Sequence, residues 1–304
     1  MNKIERPLWY VDYYQDAKEQ LNLSNNVCYD AVLLDRLKFD IDFSKIHQYP
    51  DAASTYLELS MYHNVDPKNI AIGYGAGDIV FRLLNFFKDY SLSILTPTYD
   101  LANTFAVNLG MKVQTSTDLS DLNGEVLYIA NPNGITGEAL ASQTVLEMCK
   151  KFKYVIADEA YGEFSTIDYS VFYNSIDLEN LIVVKTLSKS VASPGIRFGY
   201  CVGNVDLIKG FQNARSSTVL TGLTPFFIPV LLKEIDSHVK RMIITRNYIE
   251  SKYSCKPSQG NYVLFEQDPK LNCKIKKTQL GHYRMALTDL DTFVKLENEQ
   301  SSNY

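Results

Sequence analysis

The chain runs Leu181-Ile182-Val183-Val184-Lys185-Thr186-Leu187-Ser188-Lys189 through its most informative segment, where a short apolar run ends in a polar turn that carries a lysine. A short apolar run bounded by polar residues is typical of a buried strand. Similar runs occur at 92–95, 126–130, 154–157 and 200–202. Segments of helical length separate them, and apolar residues recur at helical spacing between 138 and 152. This alternation predicts an α/β fold with a mostly parallel central sheet sandwiched by helices.

Polar side chains follow three of the predicted strands. Asn131, Asp158 and Lys189 come after three successive apolar runs. In parallel sheets, ligands bind in the crevice beyond the carboxyl ends of the strands. We therefore expect an amide, a carboxylate and an amine to lie close together at one edge of the sheet.

These groups match the chemistry of pyridoxal 5'-phosphate, which needs a lysine, a carboxylate and hydrogen-bond donors. Lys189 would form an imine with the cofactor and move protons at the substrate α-carbon. Asp158 would pair with the pyridinium nitrogen, so that the ring can accept electrons. Asn131 and Tyr161 would donate hydrogen bonds to the ring oxygen, and Tyr99 could stack over the ring face. The predicted catalytic residues are Lys189, Asp158 and Tyr161.

A second group of residues fits the phosphate of the same cofactor. A glycine-rich stretch at 73–78 comes directly before an apolar helical run at 79–87. Backbone N–H groups at a helix N-terminus bind anions, and hydroxyl and guanidinium groups add further donors. The predicted phosphate-binding residues are Gly75, Ala76, Gly77, Ser188 and Arg197, and Thr186 is a further predicted cofactor-binding residue.

Further motifs extend along the chain in a fixed order. They are Tyr49-Pro50-Asp51, Pro97-Thr98-Tyr99, Asn131-Pro132-Asn133, Asp158-Glu159-Ala160-Tyr161, Gly195-Ile196-Arg197-Phe198-Gly199-Tyr200 and Tyr283-Arg284. In residue types and spacing, the chain resembles the histidinol-phosphate aminotransferase group of class I and II aminotransferases. The resemblance implies the aspartate aminotransferase-like fold of pyridoxal-phosphate-dependent transferases, that cofactor, and a homodimer with shared active sites.

The resemblance also implies roles for individual residues. Arg284 is expected to bind the substrate α-carboxylate, with Asn131 and Asn22 as further substrate contacts. Tyr49 is expected to reach the cofactor phosphate of the neighbouring subunit. The segment at 21–26 resembles the part of these enzymes that closes over the substrate.

The chain departs from the family pattern at several positions. Asn25 stands where an acidic residue is usual, Gly77 where the family has Asp, and Gly134-Ile135 where the family has Asn-Pro. The segment between Phe265 and Arg284 is short, and a second substrate-anchoring arginine has no clear equivalent. The candidate replacements are Lys276 and Lys277. These departures indicate a changed or narrowed substrate.

The composition narrows the classes of partner. The net charge of -5 does not favour nucleic acid as a partner, and no stretch approaches the length of a membrane span. The five cysteines form no Cys-x-x-Cys pair, and the four histidines show no metal spacing. We therefore expect a cytoplasmic protein with amino acid and keto acid substrates and without a metal, a nucleic acid or a membrane as partner.

The predicted organisation has three parts. Residues 1–40 form an N-terminal arm and part of the small domain, residues 41–235 the large cofactor-binding domain, and residues 236–304 a reduced C-terminal small α+β domain.

Three functions remain open from the sequence. The leading hypothesis is an aminotransferase that moves an amino group between an amino acid, with glutamate as the candidate donor, and a keto or phosphorylated-keto acceptor. A pyridoxal-phosphate-dependent decarboxylase resembling threonine-phosphate decarboxylase is the second. A non-catalytic protein that kept the fold is the third, and the presence of Lys189, Asp158, Arg197 and Arg284 argues against it.

Overall fold

The computed structural model describes residues 21–213 and 220–301, so the first half of the predicted N-terminal arm lies outside the described residues. The strands are β1 (Leu21–Asn22), β2 (Ile70–Gly73), β3 (Leu92–Leu95), β4 (Val113–Ser116), β5 (Val126–Ala130), β6 (Tyr154–Asp158), β7 (Leu181–Thr186), β8 (Gly199–Val202), β9 (Cys255–Lys256), β10 (Tyr262–Phe265), β11 (Cys273–Lys274), β12 (Lys276–Lys277) and β13 (Tyr283–Ala286). The helices are α1 (Ala31–Arg36), α2 (Ala52–His63), α3 (Ala76–Phe86), α4 (Asp100–Asn108), α5 (Ser142–Lys151), α6 (Asn174–Asp177), α7 (Leu187–Ser190), α8 (Val205–Asn213), α9 (Thr224–Lys252) and α10 (Leu290–Ser301). No helix in these described ranges is long and apolar enough to span a bilayer.

The central sheet has seven strands in the order β2-β8-β7-β6-β5-β3-β4. Strand β8 runs antiparallel to both of its neighbours, whereas β7, β6, β5, β3 and β4 pair in parallel. The predicted mostly parallel sheet is therefore confirmed, and the apolar run at 200–202 belongs to its antiparallel strand.

Helices cover both faces of this sheet. Successive residues of β5 alternate between two hydrophobic clusters, with Leu127 and Ile129 in one and Val126 and Tyr128 in the other. All four are fully buried. Continuous apolar runs form these strands because neither face meets water. Burying each large apolar side chain contributes roughly 1.5–3 kcal/mol.

The strand register brings several strand ends to one edge. Ala130 at the end of β5 pairs with Asp158 at the end of β6. Gly199, which begins the antiparallel β8, pairs with both Thr186 at the end of β7 and Gly73 at the end of β2. The ends of β5, β6 and β7, which the sequence predicts at one edge, therefore lie there, and the end of β2 joins them.

The C-terminal region forms a second, antiparallel sheet with the strand order β12-β13-β10-β9. Strand β1 of the N-terminal segment pairs in parallel with β11 beside it. The 29-residue helix α9 passes between the two sheets, and its buried residues share one hydrophobic cluster with both. The predicted domain boundary after residue 235 lies inside this helix.

A buried ion pair fixes the N-terminal segment to α9. Asp30 caps α1 by accepting a hydrogen bond from the Leu33 N–H. The same carboxylate lies 2.7 Å from Nδ1 of His238 and 2.7 Å from Nη2 of Arg241. Burial alone would raise the pKa of the Asp30 carboxyl, but the bonds to His238 and Arg241 lower it to about 2. The ion pair thereby anchors the residues that precede α1, which lie over Lys189.

Candidate active site

Lys189 lies in α7, directly after strand β7. Thr186 caps this helix, because its hydroxyl oxygen accepts a hydrogen bond from the Ser188 N–H at 3.1 Å. The Lys189 amine donates to the backbone carbonyls of Asn26 at 2.8 Å and Asn25 at 3.3 Å. The N-terminal segment therefore covers the amine and separates it from bulk water.

The electrostatic surroundings of Lys189 favour its neutral form. Burial lowers the pKa of the amine from 10.5 to about 8, and the positive charge of Arg284 adds to this effect. A neutral amine is the nucleophilic form, so a lysine with a depressed pKa is suited to covalent attachment of an aldehyde.

Asp158 ends strand β6 and is 7% exposed. Its Oδ2 atom accepts a hydrogen bond from the Tyr128 hydroxyl at 2.7 Å, and its Oδ1 atom accepts one from the Ala160 N–H at 3.1 Å. Burial raises the pKa of the Asp158 carboxyl, although these two donors oppose the rise. A buried carboxylate with lone pairs to spare is suited to pairing with a cation such as a pyridinium N–H.

Tyr161 shares the space around Lys189, whose Nζ lies 5.7 Å from the centre of the tyrosine ring. The Tyr161 hydroxyl accepts a hydrogen bond from the Asn26 side-chain amide at 3.1 Å. Burial raises the pKa of this phenol, so the hydroxyl keeps its proton and can donate it to an acceptor in the site. A Cβ atom at Gly134 would lie 2.6 Å from the Tyr161 ring, so the ring occupies space that a side chain at 134 would need.

The start of helix α3 and Arg197 lie together at one end of the site, where both present hydrogen-bond donors. Gly75 precedes the helix with a φ of +84°, and no side chain caps the first turn. Nη2 of Arg197 donates to the Tyr74 carbonyl at 3.2 Å and lies 2.6 Å from where a Cβ of Gly75 would be. A Cβ at Gly199 would overlap the backbone of Gly75. Because these positions are glycines, the first turn of α3, strand β8 and the Arg197 guanidinium can approach one another closely. Such close approach brings together backbone and guanidinium donors that could bind a phosphate.

Arg284 on β13 points into the same region from the small sheet. Its Nη1 atom donates to the Gly134 carbonyl at 3.1 Å, and Nη2 donates to the Ser24 carbonyl at 3.4 Å. Nε is buried and has no partner among the described residues. The guanidinium can therefore donate two hydrogen bonds to a carboxylate if that carboxylate replaces the two backbone carbonyls.

Two predicted site residues make other contacts in this structure. Both amide hydrogens of Asn131 go to backbone carbonyls, of Leu140 at 3.1 Å and Tyr169 at 3.3 Å, and its oxygen accepts from the Leu140 N–H at 2.7 Å. Asn22 accepts two hydrogen bonds from Ser24 in a local turn. Backbone groups saturate the side-chain amide of Asn131, and the side-chain oxygen of Asn22 stabilises a local turn. Among the described residues, no hydrogen bond joins either side chain to Lys189.

Asn26 is the residue that the sequence prediction missed. It bonds Tyr161 through its amide and Lys189 through its carbonyl. Its side-chain oxygen is buried and has no partner in the described part of the chain. Asn26 has a φ of +52°, a left-handed conformation that asparagine tolerates better than most residues. The available signal was its place in the segment at 21–26, which resembles the part of the family that closes over the substrate.

Two other predicted residues, Tyr99 and Tyr49, are exposed in a single chain. Tyr99 is 45% exposed at the start of α4. Tyr49 is 91% exposed. A Cβ at Gly77 would meet no atom within 4 Å, so the glycine is not required there for space. Within 21–213 and 220–301, no cluster of three or more metal-ligating side chains occurs.

The family model "Aminotransferase class I and II" matches residues 18–271. The chain is 30% identical over 259 residues to a histidinol-phosphate aminotransferase from Pyrococcus furiosus, which covers 78% of this chain and 74% of that protein. The fold of this chain is similar to that of L-threonine-O-3-phosphate decarboxylase from Porphyromonas gingivalis, with a TM-score of 0.74 and 17% identity over 93% of this chain and 98% of the other. Histidinol-phosphate aminotransferase from Sinorhizobium meliloti, in complex with pyridoxal-5'-phosphate, gives a TM-score of 0.71 and 18% identity over 93% and 92% of the two chains.

The depressed pKa of Lys189 can be measured in the cofactor-free protein by labelling with a small amine reagent, followed by peptide mass spectrometry. Because only the neutral amine reacts, we expect labelling of Lys189 to rise with pH around a midpoint of about 8. Arg284→Gln should move that midpoint upward, since it removes a nearby positive charge.

Lys185 is the matched internal control. It is more deeply buried than Lys189, and burial alone would lower its pKa, but Glu163 and Glu159 hold the pKa well above its ordinary value. It should stay unlabelled over the range in which Lys189 reacts. A Lys189 midpoint near that of exposed lysines, ~10.4, would contradict the electrostatic account.

Proposed function

Because this chain belongs to the class I and II aminotransferase family, we propose that it moves an amino group between an amino acid and a keto acid, with pyridoxal 5'-phosphate attached at Lys189. One observation carries the proposal: three groups converge at the edge where the strand ends meet. They are the Lys189 amine with its lowered pKa, the buried Asp158 carboxylate and the Arg284 guanidinium. Each group answers one requirement of the cofactor or its substrate.

The residues present fit the cofactor at both of its ends. When bound, the cofactor supplies a ring that accepts the electrons left at the substrate α-carbon. Asp158 supplies the negative charge for the ring nitrogen, and the Tyr161 hydroxyl supplies a donor for the ring oxygen. The α3 start with Gly75 and Arg197 supplies donors for the phosphate. With the cofactor bound, Lys189 would be the base that accepts a proton from the substrate α-carbon and the acid that gives it back.

The N-terminal segment closes the site and excludes water. The Ser24 carbonyl contacts Arg284, and the Asn25 and Asn26 carbonyls contact the Lys189 amine. A substrate carboxylate on Arg284 and the cofactor on Lys189 would replace these carbonyls. The segment would then lie over the substrate, held by Asp30 and its partners on α9.

The small sheet offers a second cation for the substrate. In the antiparallel register of β12 and β13, Lys276 pairs with Arg284 and Lys277 pairs with Tyr283. Paired residues on neighbouring strands point to the same face, and consecutive residues point to opposite faces. We propose that Lys276, on the face of Arg284, binds a second anionic group of the substrate, such as a phosphate or a distal carboxylate.

The pair Lys276→Ala and Lys277→Ala tests this assignment, since the two lysines are adjacent and both exposed. Lys276→Ala should lower kcat/KM for an amino acid with a second anionic group by roughly 10–100-fold, the scale of one charged hydrogen bond. It should leave kcat/KM for an alanine-like substrate within about twofold. Equal effects of the two substitutions, or none, would contradict a contact specific to Lys276.

Decarboxylation of an amino acid remains the alternative, because Ala192-Ser193-Pro194-Gly195-Ile196-Arg197 suits a threonine-phosphate decarboxylase about as well. Both reactions use the same cofactor residues. They differ in whether the bond to hydrogen or the bond to the carboxylate breaks at the α-carbon. Products therefore separate the two functions.

The test is to incubate the holoenzyme with a panel of amino acids, glutamate among them, and to measure keto acid and carbon dioxide. We expect one keto acid for each amino acid consumed and conversion of the bound cofactor to its amine form. A second keto acid should then return the cofactor to its aldehyde form. Lys189→Ala should abolish both products. Carbon dioxide without keto acid would favour the decarboxylase, and turnover by Lys189→Ala would refute the role of this lysine.

We also propose a homodimer in which Tyr49 reaches the partner's cofactor phosphate. Apolar side chains around Tyr49 are exposed in a single chain, with Phe43 at 65%, Leu57 at 55% and Met61 at 68%. Such a surface favours burial against another copy around a two-fold axis.

A further inference from the structure

Tyr128 is a fully buried tyrosine in the middle of the central sheet. It lies on β5, one strand from Asp158, with Tyr128 paired to Ile156 and Ala130 paired to Asp158. Residues two apart on a strand share a face, so Tyr128 and Asp158 lie on the same face of the sheet. The Tyr128 hydroxyl donates to Oδ2 of Asp158 at 2.7 Å, the distance of a strong bond to an ionised acceptor.

The charge on Asp158 depends on few partners. The titratable groups that act on it from the neighbouring elements are Tyr128 on β5, Lys185 on β7 and Tyr161 after β6. Lys185 lies closest to the carboxylates of Glu163, at 3.0 Å, and Glu159, at 3.4 Å. Tyr128 is therefore the side chain that bonds the Asp158 carboxylate directly.

Tyr128 is a permanent donor in this position. Burial and the adjacent negative charge raise the pKa of its phenol well above the ordinary value, so the hydroxyl keeps its proton at every pH of interest. It occupies one lone pair of Oδ2, and the Ala160 N–H occupies one of Oδ1. No further hydrogen bond to these two oxygens occurs among the described residues, so the carboxylate keeps lone pairs for a ligand.

On the basis of the proposed function, we propose that Tyr128 is a positioning residue that holds the Asp158 carboxylate ionised and correctly oriented for the ring nitrogen of the cofactor. A hydroxyl that donates to a carboxylate stabilises its charged form. Without it, burial would favour the neutral acid, which is a weaker partner for a pyridinium. Tyr128 thereby acts on the cofactor through Asp158 and touches no substrate.

The test compares Tyr128→Phe with Tyr200→Phe in cofactor binding to the apoenzyme by calorimetry, without any measurement of turnover. Tyr200 is a matched control: it is equally buried in the same sheet and bonds His63 at 2.7 Å, but it belongs to the hydrophobic cluster of the opposite face. Each change removes a single hydroxyl, and thermal unfolding checks that each variant folds.

We expect Tyr128→Phe to weaken binding of pyridoxal 5'-phosphate roughly 10–100-fold, as for a lost hydrogen bond to a charged group, and Tyr200→Phe to change it less than about threefold. The loss should grow as pH falls. Removing the donor raises the pKa of Asp158, so the carboxylate becomes neutral at a higher pH than in the wild type. Equal losses in the two variants, or an unchanged pH dependence, would overturn the proposal.

A double-mutant cycle with Asp158→Asn separates this inference from the proposed function. If Tyr128 acts through Asp158, Tyr128→Phe should have little further effect on affinity in the Asp158→Asn background. Additive losses would overturn the inference while leaving the cofactor role of Asp158 intact. Wild-type affinity in Asp158→Asn itself would instead refute that role and, with it, the basis of the inference.

Discussion

Burial of charged groups at the carboxyl edge of the central sheet is the constraint on which the rest of the site depends. Desolvation disfavours charge, so it raises the pKa of Asp158 and lowers that of Lys189. Both groups are shifted toward their neutral forms in the cofactor-free protein. A cofactor with a protonated ring nitrogen and a reactive aldehyde suits this pair. The ring nitrogen would form an ion pair with Asp158, and the aldehyde would react with the neutral amine of Lys189.

The two faces of the sheet handle charge differently at this edge. Asp158 and Glu159 are consecutive, so they point to opposite faces. On the face of Glu159, the Lys185 ammonium lies between the carboxylates of Glu159 and Glu163. On the face of Asp158, the hydrogen bonds to the carboxylate within the described part of the chain come from neutral donors. A carboxylate that already has a cation beside it contributes to the fold, whereas a carboxylate without one favours a ligand that brings a cation.

The sequence was sufficient to predict the sheet and the positions of Asp158 and Lys189 at its edge, because buried strands give apolar runs and these two residues come at or just after the ends of such runs. The sequence was not sufficient to predict which groups the asparagine side chains contact. Asn131 occupies a motif position, yet backbone carbonyls nine and 38 residues away saturate it. Asn26 faces Lys189 only because its segment folds back over more than 160 residues of sequence separation. In the sequence, Tyr128 is one of several apolar or aromatic residues in a buried strand. Its contact with Asp158 depends on the register between β5 and β6, which the sequence does not show.

The central claim is that Lys189 is the attachment point of the cofactor at this edge. The most direct measurement is to reduce the holoenzyme with borohydride, digest it and locate the pyridoxyl group by mass spectrometry. The account predicts the added mass on the peptide that contains Lys189, and its absence from Lys185 four residues earlier. A pyridoxyl group on Lys185 or any other lysine, or no covalent adduct at all, would contradict it.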